Sequence, residues 1–338
     1  MRKASVDVIV LNFNGRGVIG PCLAALQAQS FREFRILVVD NGSADGSLEY
    51  VRVTYPDIPL LALSSNLGFC GGNNRGIAAT SGEYVALLNN DTEVSPTWLE
   101  SLVQVLDSHP EVGFCASRLV RLREPGTIDA AGDLFYTHGV GGKRGTGEPE
   151  ERYHTAERVF GACAGAAMYR REMLDRIGLL DEDLFAIDED LDLSFRAQLQ
   201  GYQCLYVPEA IVHHHVGASF SGVSRLGIRL ARRNMAEVLL KNMPTSLLLK
   251  HCLPIVGYYL AGDMLWILRG RAREVVGARW ENLRRLRRTL AKRKVIQRSR
   301  TITTTDVERL LTPGRATGLF RSARRRLQTI VPLTRSVP

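Results

Sequence analysis

The stretch Leu37-Val38-Val39-Asp40-Asn41-Gly42-Ser43-Ala44-Asp45-Gly46-Ser47 decides the fold. A β-branched run ends in a carboxylate, turns through glycines and enters a helix-like segment, which is how a strand hands over to a helix in a parallel sheet. Upstream, VDVIVLNF from Val6 reads as a strand and Val18 to Gln29 as a helix. Downstream, Gly46 to Val53 reads as a helix. The apolar run Tyr84 to Leu88 ends in Asn89-Asn90-Asp91, and Pro96 opens a helix to Leu106. This alternation predicts βαβ units and an α/β fold. Ligands of open parallel sheets bind at the carboxyl edge of the strands, so Asp40 and Asp91 are expected to face one crevice. Taken singly, each is equally well a helix cap or a turn aspartate.

Charge divides the chain. Residues 1–220 carry 18 Lys and Arg against 29 Asp and Glu, and residues 221–338 carry 26 against 6. An acidic body is joined to a strongly basic extension, and any anionic partner is expected to meet the extension. The six cysteines lie far apart with no CxxC pair, which excludes common zinc frameworks and suits a reducing, cytosolic setting. The apolar stretch Val6 to Leu11 is interrupted by Asp7 and is too short for a secretory signal. Only Cys252 to Gly262 runs free of charge or histidine, too short to cross a bilayer.

Four segments carry chemistry. Asp40 stands where a carboxylate can accept from a pyrimidine imide or from ribose hydroxyls. Asn66-Leu67-Gly68-Phe69-Cys70-Gly71-Gly72-Asn73-Asn74-Arg75-Gly76 combines glycines that allow close backbone approach with amides and an arginine suited to a diphosphate. Leu87-Leu88-Asn89-Asn90-Asp91-Thr92 places one carboxylate after a buried strand. That suffices for Mg²⁺ where substrate phosphates supply further ligands. Asp188-Glu189-Asp190-Leu191-Asp192 opens a helix, where the dipole favours negative charge. Gly139 to Gly145 lacks P-loop spacing and reads as a mobile surface loop. A strand from Gln203 to Val207 leads into His213-His214-His215, and a helical pattern runs from Ser224 to about Arg300.

In this order the segments resemble glycosyltransferase family 2 enzymes of the GT-A fold, in particular the bacterial rhamnosyltransferase-like branch. The resemblance rests on VVDNGSADGS, NLGFCGGNNRG, LLNNDT, GAAMYRRE at 165–172, DEDLF at 181–185, EDLDLSFR at 189–196 and HHVGAS at 214–219. Arg233-Asn234 and Lys241-Asn242-Met243-Pro244 also match that branch. It implies a GT-A domain over residues 1–220, a mostly parallel sheet flanked by helices with a Rossmann-like nucleotide-binding half. A helical extension would follow over 221–300 and a partly disordered tail over 301–338. The resemblance further implies an inverting, metal-dependent transfer of a sugar such as rhamnose from a dTDP-, UDP- or GDP-linked donor to a hydroxyl of a cell-surface glycan or lipid-linked acceptor. Asp190, with Glu189, would be catalytic. Asn12, Asp40, Asn66, Gly68, Gly71, Asn73, Asn74, Arg75 and Asn90 would hold the donor. Asp91 and His214 would hold Mg²⁺ or Mn²⁺, with His213 and His215 as alternatives to His214. Where the family carries an aromatic two residues before the Glu-Asp pair, this chain has Ile187, a departure that bears on acceptor fit.

The apolar segment Ser246 to Leu268 followed by many arginines reads as a membrane-surface signature. It predicts peripheral attachment to the anionic inner face of the cell membrane rather than a part in building the active site, the alternative being packing on the body. A nucleic-acid-binding protein is disfavoured because no aromatics interleave with the arginines of the extension. A sugar nucleotidyltransferase is disfavoured because Asn12-Phe13-Asn14-Gly15-Arg16 lacks the expected glycine-rich loop.

Overall fold

The computed structural model describes residues 5–216 and 224–314. Residues 217–219 of the expected HHVGAS motif and residues 315–338 of the expected tail lie outside them. The chain runs β1 (Val6–Asn12), α1 (Ile19–Gln27), β2 (Phe34–Asp40), α2 (Ser47–Thr54), β3 (Leu60–Ala62), α3 (Gly68–Ala78), β4 (Tyr84–Asn89), β5 (Thr92–Val94) and α4 (Trp98–Ser108). It continues through β6 (Val112–Arg121), β7 (Ile128–Ala131), β8 (Asp133–Phe135), β9 (Gly141–Lys143), β10 (Glu157–Val159), β11 (Ala166–Arg170), α5 (Arg171–Ile177), α6 (Glu189–Leu199) and β12 (Gln203–His214). Five helices close it: α7 (Arg225–Asn242), α8 (Thr245–Lys250), α9 (Cys252–Leu268), α10 (Ala272–Ser299) and α11 (Thr304–Leu310).

The main sheet has the order β10-β12-β6-β11-β4-β1-β2-β3, with β5 and β7 as side branches on β12 and β6. β1 is parallel to β2 and β4, β2 to β3, and β12 to β6, whereas β11 runs antiparallel between β4 and β6. Both faces are buried, which is why the strands read as continuous apolar runs. Val8 and Val10 of β1 pack with Leu23, Trp98 and Leu102 under α1 and α4. Ile9 points the other way, into the cluster that contains Val39, Leu87, Phe114, Leu193 and Phe195. The register pairs Asn12 with Asp40 and Leu11 with Asn89, so these strands end level at one edge.

One expectation changes, and part of the tail can be described. Gly139 to Gly145 is not a free surface loop. β9 pairs with β8, Val140 and Gly141 are buried, and a Cβ on Gly141 would strike Leu191 of α6. The glycines that imitate a loop in sequence permit this close contact. Residues 301–314 of the expected tail are ordered as well. Thr303 and Asp306 form a reciprocal capping box on α11, and Val307 and Leu311 are buried.

The basic extension is bound to the acidic body through buried charge. Lys241 of α7 reaches both Asp181 and Asp192, the latter at 2.8 Å, and Lys292 of α10 reaches Asp181 and Asp183. Burial raises the Asp181 and Asp192 carboxyls, but Lys241 more than reverses this and holds both below the ordinary range. Stability from depressed carboxyls is complete above the unfolded value of about 4 and is lost as pH falls through the folded values. Lys241→Met removes the buried cation shared by Asp181 and Asp192, leaving them only Lys292 and Arg196, and should destabilise the protein by about 3 kcal/mol at neutral pH. Urea denaturation at pH 7 and pH 3 checks this. The deficit should shrink in acid, and an equal deficit at both pH values would contradict the assignment.

Candidate active site

At the carboxyl edge of the sheet one polar chain crosses from β2 to β9. Asn12, fully buried at the end of β1, donates to Asp40 Oδ1 at 2.9 Å and to Ser47 Oγ at 2.8 Å. Its Oδ1 accepts from Asn90 Nδ2 at 2.8 Å. Asp40 also accepts from the Ser43 amide at 3.0 Å, so its carboxylate is fixed by the turn that follows β2. Next to Asn90, Asp91 Oδ1 lies 3.5 Å from His214 Nε2, and the Asp91 carbonyl accepts from the His215 amide at 2.9 Å. His214 Nδ1 lies 2.9 Å from Asp129 Oδ2, which also takes Lys143 Nζ at 2.7 Å. β5 lies antiparallel to β12 and pairs Thr92 with His214, which brings the histidine to the Asp91 turn.

The histidine choice left open by sequence is resolved in geometry: His214 faces Asp91, whereas His215 pairs with Glu93 at 3.0 Å. Burial lowers the His214 pKa, but hydrogen bonds from Asp129 and Asp91 raise it above the ordinary value. Lys143 is likewise disfavoured by burial and more than compensated by Asp129. Because Asp129 is held ionised far below the usual range, it can only accept. Nδ1 of His214 therefore donates to Asp129, and Nε2 is the ring nitrogen directed at Asp91. A carboxylate that orients a histidine in this way is the usual support of a metal-binding imidazole. Among the described residues no three His, Cys, Asp or Glu side chains form a complete cation site. Asp91 and His214 could supply two ligands of a divalent ion, with substrate oxygens or water as the rest.

A second cluster adjoins Lys143. Burial, then the Asp190 charge, pushes Asp133 and Glu189 well above the carboxylate range. Asp133 Oδ2 and Glu189 Oε2 are buried with no hydrogen-bond partner among the described residues, which disfavours their charged forms. Asp190 is also raised by burial, but it accepts from the amides of Leu191, at 2.8 Å, and Ala164, and it feels Lys143. It is thus the member of the cluster best placed to ionise.

The backbone before α6 is strained. Phe185, Ile187 and Asp188 all have φ between 66° and 72°, in the left-handed region that side chains disfavour. The clamp comes from α7. Asn234 Nδ2 lies 3.0, 2.8 and 2.6 Å from the carbonyls of Leu184, Ala186 and Ile187. Arg233 donates to the carbonyls of Asp183 and Leu184, and Arg285 of α10 donates to Asp183 O at 2.8 Å. Glu281 of α10 holds Arg233 at 3.0 Å. The extension therefore takes part in shaping the segment that carries Asp188, Glu189 and Asp190. Sequence reasoning separated the two because the partners lie some fifty to a hundred residues apart, and the arginines of α10 look alike until their neighbours are known.

The glycine-rich segment divides into two tasks. Asn66 Oδ1 accepts from the Gly68 amide at 2.8 Å and from Asn41 at 3.0 Å, which shapes the turn into α3. Gly71 leaves room for the Leu67 side chain, and Asn73 keeps a buried, unpartnered Oδ1. Asn74 instead donates to Leu180 O and accepts from Leu180 N, and Arg75, half exposed, pairs with Glu182 at 3.1 Å. The structure thus engages Asn74 and Arg75 with the segment before the strained turn. Asp129, Asp133 and Lys143 were not singled out in sequence. Their signal is slight: two carboxylates within an otherwise apolar stretch, Ile128 to Phe135.

Gly68 joins the two halves. Its φ is +75°, and a Cβ would collide with the carbonyl and ring of Phe185, whose carbonyl accepts from the Cys70 amide at 3.0 Å. Gly68→Ala must displace the strained turn. We expect kcat to fall by roughly tenfold or more, the loss that about 1.4 kcal/mol of misplacement produces. Steady-state kinetics read beside a thermal melt check this, and an unchanged kcat would contradict the coupling.

The profile of the family described as "Glycosyl transferase family 2" matches residues 7–178. An N-acetylglucosaminyl-diphospho-decaprenol L-rhamnosyltransferase of Mycobacterium tuberculosis (strain ATCC 25618 / H37Rv) is 29% identical over 216 residues, covering 57% of this chain and 70% of that protein. An uncharacterized protein, y4gI, of Sinorhizobium fredii (strain NBRC 101917 / NGR234) is 30% identical over 204 residues, covering 56% of this chain and only 22% of its own length. Among solved structures, the mannosyltransferase PcManGT from Pyrobaculum calidifontis, in complex with GDP-Man and Mn²⁺, is similar with a TM-score of 0.54. That similarity comes at 17% identity and covers 98% of this chain and 84% of that one. The fold is of the GT-A type. With the profile spanning the strands that end in Asn12, Asp40 and Asn89, the chain belongs to glycosyl transferase family 2.

Proposed function

We propose that this protein transfers a sugar, with L-rhamnose the first to test, from a nucleoside-diphosphate donor to a hydroxyl of a lipid-linked or cell-surface glycan, inverting the anomeric centre. The observation that carries the reading is the unbroken contact chain Asp40–Asn12–Asn90 and Asp91–His214–Asp129–Lys143, which ends beside Asp190. The name of the mycobacterial relative supports a rhamnosyl donor and a diphospho-polyprenol acceptor.

Asp40, fixed by Asn12 and the Ser43 amide, presents acceptor positions for a base imide or ribose hydroxyls. Asn66 and Gly68 set the backbone that faces the diphosphate. Asp91 and His214 would hold Mg²⁺ or Mn²⁺, which when bound offsets charge on the departing diphosphate. Asp190 accepts the proton of the attacking hydroxyl. Burial raises its basicity, while the Leu191 and Ala164 amides and the Lys143 charge support its ionised form. No second carboxylate is assigned as a nucleophile, so one displacement and inversion follow.

Asp190→Asn should lower kcat by about 10² to 10⁴, the usual value of a positioned base, with nucleoside diphosphate affinity retained. Asp91→Asn should weaken nucleoside diphosphate binding when Mn²⁺ is present and leave metal-free binding unchanged. Calorimetric titration with and without Mn²⁺ separates the roles. Equal loss of binding in both variants would contradict them. Because burial raises Asp190, kcat/KM should climb with pH through a limb lying above the ordinary aspartate value. The function itself is tested by mass spectrometry of products formed from dTDP-, UDP- and GDP-sugars with an extracted lipid-linked acceptor. Hydrolysis of donor without glycan extension would refute it.

A further inference from the structure

Helix α9 is apolar on both sides. Its inner side, with Ile255, Tyr258 and Tyr259, packs on the core, and its one charge, Asp263, is held by Arg232 and Arg279. Its outer side, continued from α8, presents Leu249, Leu253, Val256, Leu260, Met264 and Leu268, all exposed. The spacing of three or four residues puts them on one helical stripe. Leu253 is 82% exposed and Leu268 is 77% exposed. A contiguous exposed stripe of this kind marks an interaction surface. No helix among the described residues is long and apolar enough to cross a membrane, so the stripe can lie along a surface but not span one.

Cations bracket the stripe at both ends. Arg269 and Arg273 are exposed where α9 passes into α10. At the other end Lys294 and Arg298 line a cleft of about 530 Å³ with Thr245 and Ser246 at the start of α8. Residues 245–300 contain three acidic side chains, and all three are engaged inward: Asp263 by Arg232 and Arg279, Glu274 by Arg225, and Glu281 by Arg229 and Arg233. Arg269, Arg273, Lys294 and Arg298 form none of the ion pairs found among the described residues. We propose that the α8–α9 stripe inserts into an anionic lipid bilayer, with the cations at its two ends lying against lipid phosphates.

The charge pattern selects this occupant over the others. A two-fold dimer through the stripe would bring two basic surfaces together without acidic partners. Residues 315–338 contain no acidic residue and would add positive charge if folded over it. An anionic leaflet supplies both the apolar medium and the counter-charge, at roughly 1 kcal/mol per Lys or Arg.

The test is co-sedimentation of the full chain with vesicles of phosphatidylcholine and phosphatidylglycerol in equal parts, against vesicles of phosphatidylcholine alone. The wild type should bind the anionic vesicles and should be released as salt shortens the Debye length. Leu253→Asp combined with Leu260→Asp should weaken vesicle affinity at least tenfold, since two inserted apolar side chains are replaced by charges that the bilayer interior disfavours. Both positions are exposed, so the melting temperature should not change. Lys294→Glu combined with Arg298→Glu, which leaves the stripe intact, should also weaken binding and flatten its salt dependence. Equal binding to both vesicle types, or binding untouched by either pair of substitutions, would overturn the proposal. So would a stable wild-type dimer, seen by sedimentation equilibrium, that ignores vesicles and dissociates on Leu253→Asp. No catalytic readout is involved, so the outcome is independent of the proposed transfer.

Discussion

Four residues of left-handed and tightly turned backbone, Phe185 to Asp188, are held open by the side chain of one asparagine. Asn234 lies within hydrogen-bond distance of three consecutive-turn carbonyls, and Arg233 covers the two before and within it. Three non-glycine residues with positive φ cost of order 1–3 kcal/mol each. Such a turn persists only where its surroundings over-determine it. Here the surroundings are α3, through Gly68 and Cys70, and the paired helices α7 and α10. Glu189 and Asp190 follow at once as the first residues of α6, so the position of the base descends from this clamp.

Charge segregation along the chain serves the same end. Part of the positive extension neutralises Asp181, Asp183 and Asp192, which flank the turn, through Lys241, Lys292, Arg285 and Arg288. Another part, including Arg273, Lys294 and Arg298, is outside every ion pair found among the described residues. The acidic body can thus gather many carboxylates at one sheet edge because buried lysines and arginines from the extension offset the repulsion around them. At the edge itself Lys143 and His214 do this locally, and burial shifts Asp133 and Glu189 toward their neutral forms.

The parallel half of the sheet was legible because both its faces are buried. Runs such as Ile36 to Val39 and Tyr84 to Leu88 admit few other readings, and the strand-end positions of Asp40 and Asp91 follow from the period. Local hydrogen bonding shows how Asn12, Asn66 and Asp190 are each held in place. The misreadings have one physical origin, long-range pairing. Gly139 to Gly145 looked like a loop because glycines that let a strand press on Leu191 resemble glycines that let a chain bend. Asp129 and Lys143 carried little signal because their meaning depends on His214, some seventy to eighty-five residues later. The arginines of α10 read together as one membrane-surface feature, although Arg285 and Arg288 turn to Asp183 while Arg284 and Arg287 remain exposed.

The central claim is that helices outside the nucleotide-binding half hold the catalytic turn in its strained form. Amide hydrogen exchange over residues 183–192 in wild type and Asn234→Ala tests it directly. The account predicts that exchange in this segment accelerates strongly, in particular at the Leu191 and Asp192 amides at the start of α6, while β1, β2 and β4 keep wild-type protection. Unchanged protection of residues 183–192 in the variant would show that the turn holds itself, and would contradict the claim.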